Sequence, residues 1–421
     1  MDQSYIRRNS CRLCNGTKLE LILPMASSPI GDAYVSKEKL DITQDRYPLD
    51  LYLCFDCGHV QNIDVVNPDI LFCDYIYKTS HSLGLVDYYK SYAKEITDRF
   101  GFPADSLAID IGSNDGSLLG FFKSRGYKVL GIDPAKKIAE EATKNGIPTI
   151  PNFFNYNLAK EIRSKYGPVK IVAANNVFAH ADDLATIAKG IHEVLDEDGV
   201  FVFEVSYLPD IVDRFLFDTI YHEHVSYHSL IPLVEFFKKN ELELFDIQKT
   251  GSKGGSIRGF VQKIKTSSRA VQVNVSKLIS MERERGFNEP EIFHQFKIEI
   301  DKKKKDLLEL IESQITLGRI FAGYGASTTV TTLMWHFDLI GKVQYLVDDK
   351  PSKHGLFAPR CHTPVLSSEK IIKEMPDYVI ILAWNYAAQI IAKNMAYLDA
   401  GGVFVVPLPH LKLIRAGDLL T

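Results

Sequence analysis

The chain has 421 residues, and at roughly 150 residues per domain that length predicts two or three domains. Lys and Arg total 49 against 53 Asp and Glu, and a net charge of −4 excludes a protein held on nucleic acid by bulk electrostatics. Hydrophobic residues make up 46% and charged residues 24%, with 24 Phe and 20 Tyr, which excludes a disordered chain; no apolar run approaches the ~18 residues of a membrane span.

The opening Met1-Asp2-Gln3-Ser4-Tyr5-Ile6-Arg7-Arg8 lacks the apolar core of a signal peptide, and six cysteines are too few for a disulfide scaffold in a chain this long. Both features predict reduced thiols, a cytoplasmic location and no membrane partner. Four of the cysteines form two tight pairs, Cys11-Arg12-Leu13-Cys14 and Cys54-Phe55-Asp56-Cys57-Gly58. A two-residue spacer lets both thiolates of a turn face one tetrahedral ion, so Cys11, Cys14, Cys54 and Cys57 are read as a structural Zn2+ site of the Cys₄ type. A full set of four ligands leaves no open position for catalysis.

From Leu107 the pattern alternates strand and helix, the mark of a parallel α/β sheet. The strand Leu107-Ala108-Ile109-Asp110-Ile111 enters Gly112-Ser113-Asn114-Asp115-Gly116, and a helix follows from Ser117. Glycines there let the backbone approach a ligand, and the helix N-terminus offers free N–H groups. The next strand, Lys128–Ile132, ends at Asp133, where a carboxylate can accept both hydrogen bonds from a ribose diol. The loop reads D-x-G-x-x-x-G and resembles the S-adenosylmethionine loop of class I methyltransferases. A later strand, Lys170–Ala174, ends in Asn175-Asn176-Val177-Phe178-Ala179-His180, which predicts that His180 faces the crevice at the strand ends.

The densest group of reactive side chains is Phe217-Asp218-Thr219-Ile220-Tyr221-His222-Glu223-His224-Val225-Ser226-Tyr227-His228. Three readings arise: a metal site on a helix face shared by His224 and His228, a polar packing helix, or acid–base chemistry with a glutamate and tyrosines beside the imidazoles. The last is preferred, since the spacing is not H-E-x-x-H. From about Ser267 to Leu317 the chain is polar and helical, and Asp301-Lys302-Lys303-Lys304-Lys305-Asp306 is expected to be a solvated face. A second strand–glycine–helix turn follows: Arg319–Ala322, then Gly323-Tyr324-Gly325-Ala326-Ser327-Thr328, a helix from Val330, and a strand Lys342–Val347 ending at Asp348-Asp349.

Together these segments resemble one family, the S-adenosylmethionine-dependent C-methyltransferases of nucleotide-linked 4-keto deoxysugars. The resemblance rests on the Cys₄ module, Ile109 to Gly116, Glu204 to Tyr207, the F-D-x-I-Y-x-E-H element Phe217 to His224, and Gly254-Gly255-Ser256-Ile257-Arg258. It continues through the Gly323/Gly325 turn, Asp349 to Gly355, and Leu382-Ala383-Trp384-Asn385. It implies a zinc-binding domain over residues 1–75, a class I (Rossmann-like) α/β methyltransferase domain over 76–266, and a helical connection with a Rossmann-like α/β domain over 267–421 that grips the nucleotide.

The resemblance further implies that S-adenosyl-L-methionine is held by Asp110, Gly112, Asn114, Asp115, Gly116, Asp133 and Asn175. His224 is the base that takes the C-3 proton of the keto sugar, Tyr221 and Glu223 orient it or the substrate, and His180 stabilises the enolate oxygen. Substrate contacts fall to Tyr75, Tyr77, His222, Lys253, Gly255, Ser256, Arg258, Gly323, Ser327, Asp349, Lys353, Trp384 and Asn385. Lys253 stands where the family more usually has histidine, and Arg360-Cys361-His362 departs from the usual lead into the last domain's strand, so the nucleotide (dTDP, GDP or CDP) and the hexose stay open. The expected partner is the nucleotide-sugar alone, with neither nucleic acid nor membrane, on a monomer or weak dimer. Two rival readings are an NAD-dependent sugar oxidoreductase using the Gly323 turn and a non-catalytic nucleotide-sugar-binding protein.

Overall fold

The computed structural model describes residues 4–72, 78–81, 84–266 and 269–419. Short strands build the N-terminal module: β1 (Tyr5–Arg7), β2 (Leu19–Leu23), β3 (Leu51–Cys54), β4 (Val60–Asn62) and β5 (Asp64–Val66). β1 pairs antiparallel with β5, while β2, β3 and β4 form an antiparallel meander. The second cysteine pair lies where β3 turns into β4, and the Gly58 N–H donates to the Cys54 carbonyl at 2.7 Å to close that turn.

The central sheet holds the parallel strands β6 (Leu107–Ile111), β7 (Lys128–Ile132), β8 (Thr149–Ile150), β9 (Val169–Asn175) and β10 (Leu195–Ser206). The chain then leaves this sheet for β11 (Ser226–Tyr227) and returns as β12 (Leu242–Thr250) and β13 (Ser256–Lys263), which run antiparallel. The order is β12-β13-β10-β9-β6-β7-β8. Every residue of β6 is buried, as expected of a strand covered on both faces, which is why it reads as a continuous apolar run.

The C-terminal sheet contains β14 (Phe321–Tyr324), β15 (Leu346–Asp348), β16 (Val365–Ser367), β17 (Tyr378–Ile381), β18 (Val403–Val406) and β19 (Lys412–Ile414). Its order, β16-β15-β14-β17-β18-β19 with only β19 antiparallel, repeats the central plan strand for strand up to β13. The acidic residue after the second strand plays one part in both halves. Asp133 accepts from the N–H groups of Asn114 (2.8 Å) and Ala135 (2.9 Å), and Asp348 accepts from those of Ala326 (2.7 Å) and Lys350 (2.8 Å). In each sheet the first strand pairs on both sides, so the crevice at the reversal of strand order opens beside the glycine turn.

Two sequence expectations shift here. Lys342–Tyr345 is not strand, since β15 begins only at Leu346. Gly323 lies inside β14 instead of in the turn, where a Cβ would sit 2.6 Å from Leu382 Cδ1 and 2.7 Å from Leu346 Cδ2. It is a packing glycine between strands and has no face toward a substrate.

The helix Glu291–Thr316 buries Phe293, Phe296, Ile300, Leu307 and Ile311 along one stripe. That stripe belongs to a single apolar core with Leu51 and Val60 of the module, Phe217 and Ile220 of the histidine segment, and Leu333 and Phe337 of the C-terminal part. Its lysine run is mostly solvated, although Lys303 lies 4.7 Å over the Phe215 ring and Lys304 pairs with Asp338. Among the described residues no helix is long and apolar enough to cross a membrane.

Candidate active site and metal centre

The four sulfurs of Cys11, Cys14, Cys54 and Cys57 all lie within 4.8 Å of one another. Cys11 Sγ is 3.7 Å from Cys57 Sγ, and Cys14 Sγ is 3.6 Å from Cys54 Sγ. Zn–S bonds of ~2.3 Å in a tetrahedron require S···S separations of roughly 3.8 Å, so the set fits zinc without rearrangement. Backbone N–H groups of Leu13 (3.4 Å to Cys11 Sγ) and Gly16 (3.2 Å to Cys14 Sγ) aim at the sulfurs, an arrangement that favours thiolate. Among the described residues this is the only group of three or more His, Cys, Asp or Glu side chains gathered for an ion.

A cleft of about 440 Å³ opens at the C-terminal edge of the central sheet, where β6 and β9 diverge. Gly112, Asn114, Asp133 and Asn175 line it. Gly112 has φ +72°, and a Cβ there would lie 2.3 Å from Val177, so the loop comes this close to the crevice only without a side chain. Asp110, in β6 two residues before Gly112, does not itself line the cleft, and its Oδ1 is buried and unpartnered; both side-chain polar atoms of Asn175, which does line it, are likewise unpartnered. Burial and the Asp133 carboxylate push the Asp110 carboxyl well above the usual range. Buried polar atoms waiting for partners beside a close-approach glycine loop are what a ligand bearing amino, carboxylate and hydroxyl groups would satisfy, so the residues fit S-adenosylmethionine.

Asp115 and Gly116 do not line the cleft. Asp115 is consumed locally, with Oδ1 accepting from the Ser117 hydroxyl (2.6 Å) and N–H (3.2 Å) and Oδ2 from the Ser80 N–H (2.8 Å). Asn114 Oδ1 accepts from the Thr79 N–H at 2.9 Å. These two side chains therefore dock residues 79–80 on the glycine loop and close one wall of the cleft. Tyr75 and Tyr77 lie outside the described residues.

The histidine segment is not a helix. A 3-10 turn spans Phe217–Thr219, and β11 follows, so His224 and His228 share no helix face. His228 is fully buried between Phe178 (5.7 Å between ring centres) and His59 (5.6 Å), and its Nε2 lies 3.3 Å from the Phe178 carbonyl. His222 packs edge-on against Tyr47 of the module at 5.6 Å and donates from Nε2 to the Tyr47 carbonyl at 3.3 Å, which makes it an interface residue and not a substrate contact.

His224 is different. Its Nδ1 donates to the Thr219 carbonyl at 2.7 Å, which fixes the tautomer and leaves the Nε2 lone pair free. The Tyr221 ring lies 4.0 Å from it and the His180 ring 5.1 Å. His180 in turn stacks on Phe72 at 5.7 Å, lines the cleft, and keeps its Nε2 buried without a partner. Burial lowers the His224 pKa to about 4, with the Lys253 ammonium adding to the effect; burial also lowers His180 well below its usual value. Both imidazoles are neutral near pH 7.

Lys253 is the cation facing this pair. It has φ +49° between Ser252 and Gly254, a conformation costly for a side-chain-bearing residue, and it lines the cleft with His180. Its side chain meets solvent through the cleft, while the protein around it lowers its pKa against the opposing pull of Glu223 and Glu204.

The other expected substrate residues scatter. Arg258 is buried and spent on Glu204 (3.1 Å), Glu95 (2.8 Å) and Tyr88 (2.7 Å), with its guanidinium 4.1 Å over the Tyr92 ring. Ser256 Oγ donates to the Ser252 carbonyl (3.0 Å) and the Gly255 N–H does the same (2.9 Å), closing the turn that presents Lys253. In the C-terminal part, Lys353 is buried against Asp32 (2.5 Å) and over Tyr34 (4.1 Å), so it joins that part to the module. Trp384 Nε1 donates to Asp218 Oδ2 at 2.8 Å. Asp349 accepts from Tyr324 (2.8 Å) and Lys393. Ser327 and Asn385 are exposed near the second glycine turn.

Sequence reasoning missed Phe72, Tyr89, Phe153, Asn155 and Asp182, which also line the cleft. Asn155 was legible as a helix start, since its Oδ1 accepts from the Asn157 and Leu158 N–H groups at 3.0 Å. Phe153 follows a strand of two residues, too short to announce itself.

Three family models match successive parts of the chain. Residues 11–72 match the "Putative zinc binding domain", residues 86–246 the "Methyltransferase domain", and residues 251–409 the "C-methyltransferase C-terminal domain". The C-methyltransferase NovU of Streptomyces niveus is 30% identical over 413 residues, 98% of each chain. Among solved structures, PH0226 of Pyrococcus horikoshii OT3 is 12% identical, with 44% of this chain and 94% of that one covered at a TM-score of 0.37. Magnesium protoporphyrin IX methyltransferase (ChlM) of Synechocystis PCC 6803 with bound SAH is 14% identical, with 43% and 84% covered at 0.34.

Proposed function

The chain belongs to the S-adenosylmethionine-dependent C-methyltransferases, and from that premise we propose that it methylates C-3 of a nucleotide-linked 4-keto-6-deoxyhexose through an enolate. The observation that carries this reading is His224: its Nδ1–H is committed to Thr219, and its ring lies 5.1 Å from that of His180, which lines the cleft, while His224 itself borders a small adjoining cavity that it shares with His180. Carbon becomes a nucleophile only when a proton leaves, and a neighbouring ketone makes that proton acidic by delocalising the charge onto oxygen.

In this reading His224 Nε2 accepts the C-3 proton, and the C–H electron pair becomes the C-3=C-4 bond as negative charge moves to the C-4 oxygen. A base of such low pKa is weak, so the enolate must be strongly stabilised. Neutral His180 can donate a hydrogen bond to the oxygen, and Lys253 lines the same cleft, where its ammonium can face the developing charge. Tyr221, with its ring against His224, restricts how the imidazole turns. S-adenosylmethionine, when bound, supplies a methyl group on a sulfonium for the enolate carbon to take. Asp110 and Asn175 would hold its amino acid end, and Asp133 would face its ribose.

His224→Ala is the direct test. We expect S-adenosylmethionine binding, followed by calorimetry, to stay within twofold of the parent while turnover of the keto sugar falls at least a thousandfold. A fully active variant would remove the proton-abstraction assignment.

A further inference from the structure

Arg12 occupies the middle of the first zinc knuckle, between Cys11 and Cys14, and is 3% exposed. Its guanidinium joins two parts of the molecule. Nη1 donates to the Val225 carbonyl (2.5 Å) and Gln61 Oε1 (3.0 Å); Nη2 donates to the Asn62 carbonyl (2.8 Å) and Asp182 Oδ1 (3.1 Å). Val225 is the residue after His224, and Asp182 stands two residues after His180. The same crossing carries two further bonds, from the Val225 and Ser226 N–H groups to the Ala179 carbonyl at 3.0 and 3.1 Å. Just beyond it β11 pairs with β4, which makes the histidine segment the edge strand of the zinc module's own sheet.

A buried charge is a poor choice if cohesion alone is wanted, because apolar residues of similar volume often serve as well or better. What a guanidinium offers is a rigid planar fork that fixes the spacing of several acceptors at once, and lysine cannot copy it. We propose that Arg12 is a positioning residue for methyl transfer, tying the metal knuckle to the backbone behind His224 and His180 so that the two imidazoles keep their separation and tautomers. This rests on the assignment of those histidines to enolate formation.

The test uses full-length, zinc-loaded protein with S-adenosylmethionine bound. Histidine-selective 15N spectra report the ring signals without any sugar, and kcat is read on the member of a nucleotide-linked 4-keto-6-deoxyhexose panel that turns over fastest. In Arg12→Lys we expect the His224 and His180 signals to move while that of His192, beside Glu241, does not. We also expect kcat at saturating substrates to fall at least thirtyfold, with zinc content unchanged. Asp182→Ala removes one acceptor of the bridge, along with the Arg8 pair at 2.8 Å, without altering a cysteine-flanked residue, and should lower kcat about fivefold to tenfold. If both act through one bridge, the double variant loses no more than Arg12→Lys alone. Parental ring signals and kcat within threefold in zinc-replete Arg12→Lys, or fully additive losses in the double variant, would overturn the proposal. An active His224→Ala would instead sink the histidine assignment, whatever Arg12 does.

Discussion

Asp218 shows how far one residue's environment changes its chemistry. Burial pushes its carboxyl up to about 7, only partly offset by the Trp384 indole, and Oδ1 has no partner. A carboxyl that holds its proton more tightly folded than unfolded stabilises the protein at low pH. That contribution fades as pH rises from the ordinary 3.8 and is gone above about 7. Asp218→Asn keeps an acceptor for Trp384 and removes the charge. Its melting temperature should match the parent's below about pH 4, pull ahead through the window up to pH 7, and stay several degrees higher above it. Thermal scans across pH check this, and a variant less stable than the parent in mild alkali would contradict it. Residue identity was the easiest part to read: the cysteines, Gly112 and His224 carry chemistry in their type and local spacing. What sequence could not show is whether a charged side chain is already satisfied. Arg258, Asp115 and Lys353 have the chemistry of ligand contacts, yet Arg258 and Lys353 are spent on protein partners from distant positions and Asp115 on Ser117 and Ser80.

Among the elements, the segment from Phe217 to His228 has only a 3-10 turn and a two-residue strand of its own and is held by the module and the C-terminal part. The module holds it through β4 and Arg12. The C-terminal part holds it through Trp384 on Asp218, the Thr332 hydroxyl on the Ile220 carbonyl (3.0 Å), and Phe337 stacked on Phe217 (5.1 Å). A helix was a fair expectation from histidines four apart, but the partner of β11 lies far away in the chain and no local pattern reveals it. The coupling has a consequence for metal removal. Stripping zinc with a chelator should raise hydrogen exchange at residues 59–66 and also at 221–228, with residues 107–132 keeping their protection. Unchanged exchange at 221–228 in the metal-free protein would mean that the module does not brace the histidines.

At the scale of the whole molecule, two sheets of one plan carry two glycine turns with different surroundings. The first opens on a cleft lined by the unpartnered Asn175, with Asp110 unpartnered in the strand before it; the second has its glycine strand packed shut and its acidic residues bound to Lys393, Tyr324 and backbone amides. The repeated strand–turn–helix pattern was legible because both turns use local glycine and aspartate signals. The continuous core that joins module, histidine segment and last domain was not, since it depends on long-range packing. Membership of the C-methyltransferases sets aside both the oxidoreductase and the binding-only readings. One measurement tests the proposed nucleotide-sugar substrate directly. The protein is incubated in heavy water with S-adenosylmethionine and a panel of dTDP-, GDP- and CDP-linked 4-keto-6-deoxyhexoses, and the sugars are analysed by mass spectrometry. One member should gain a single methyl group at C-3, and without the methyl donor the same position should exchange its hydrogen for deuterium. A panel that acquires neither methyl nor deuterium would contradict the proposed substrate.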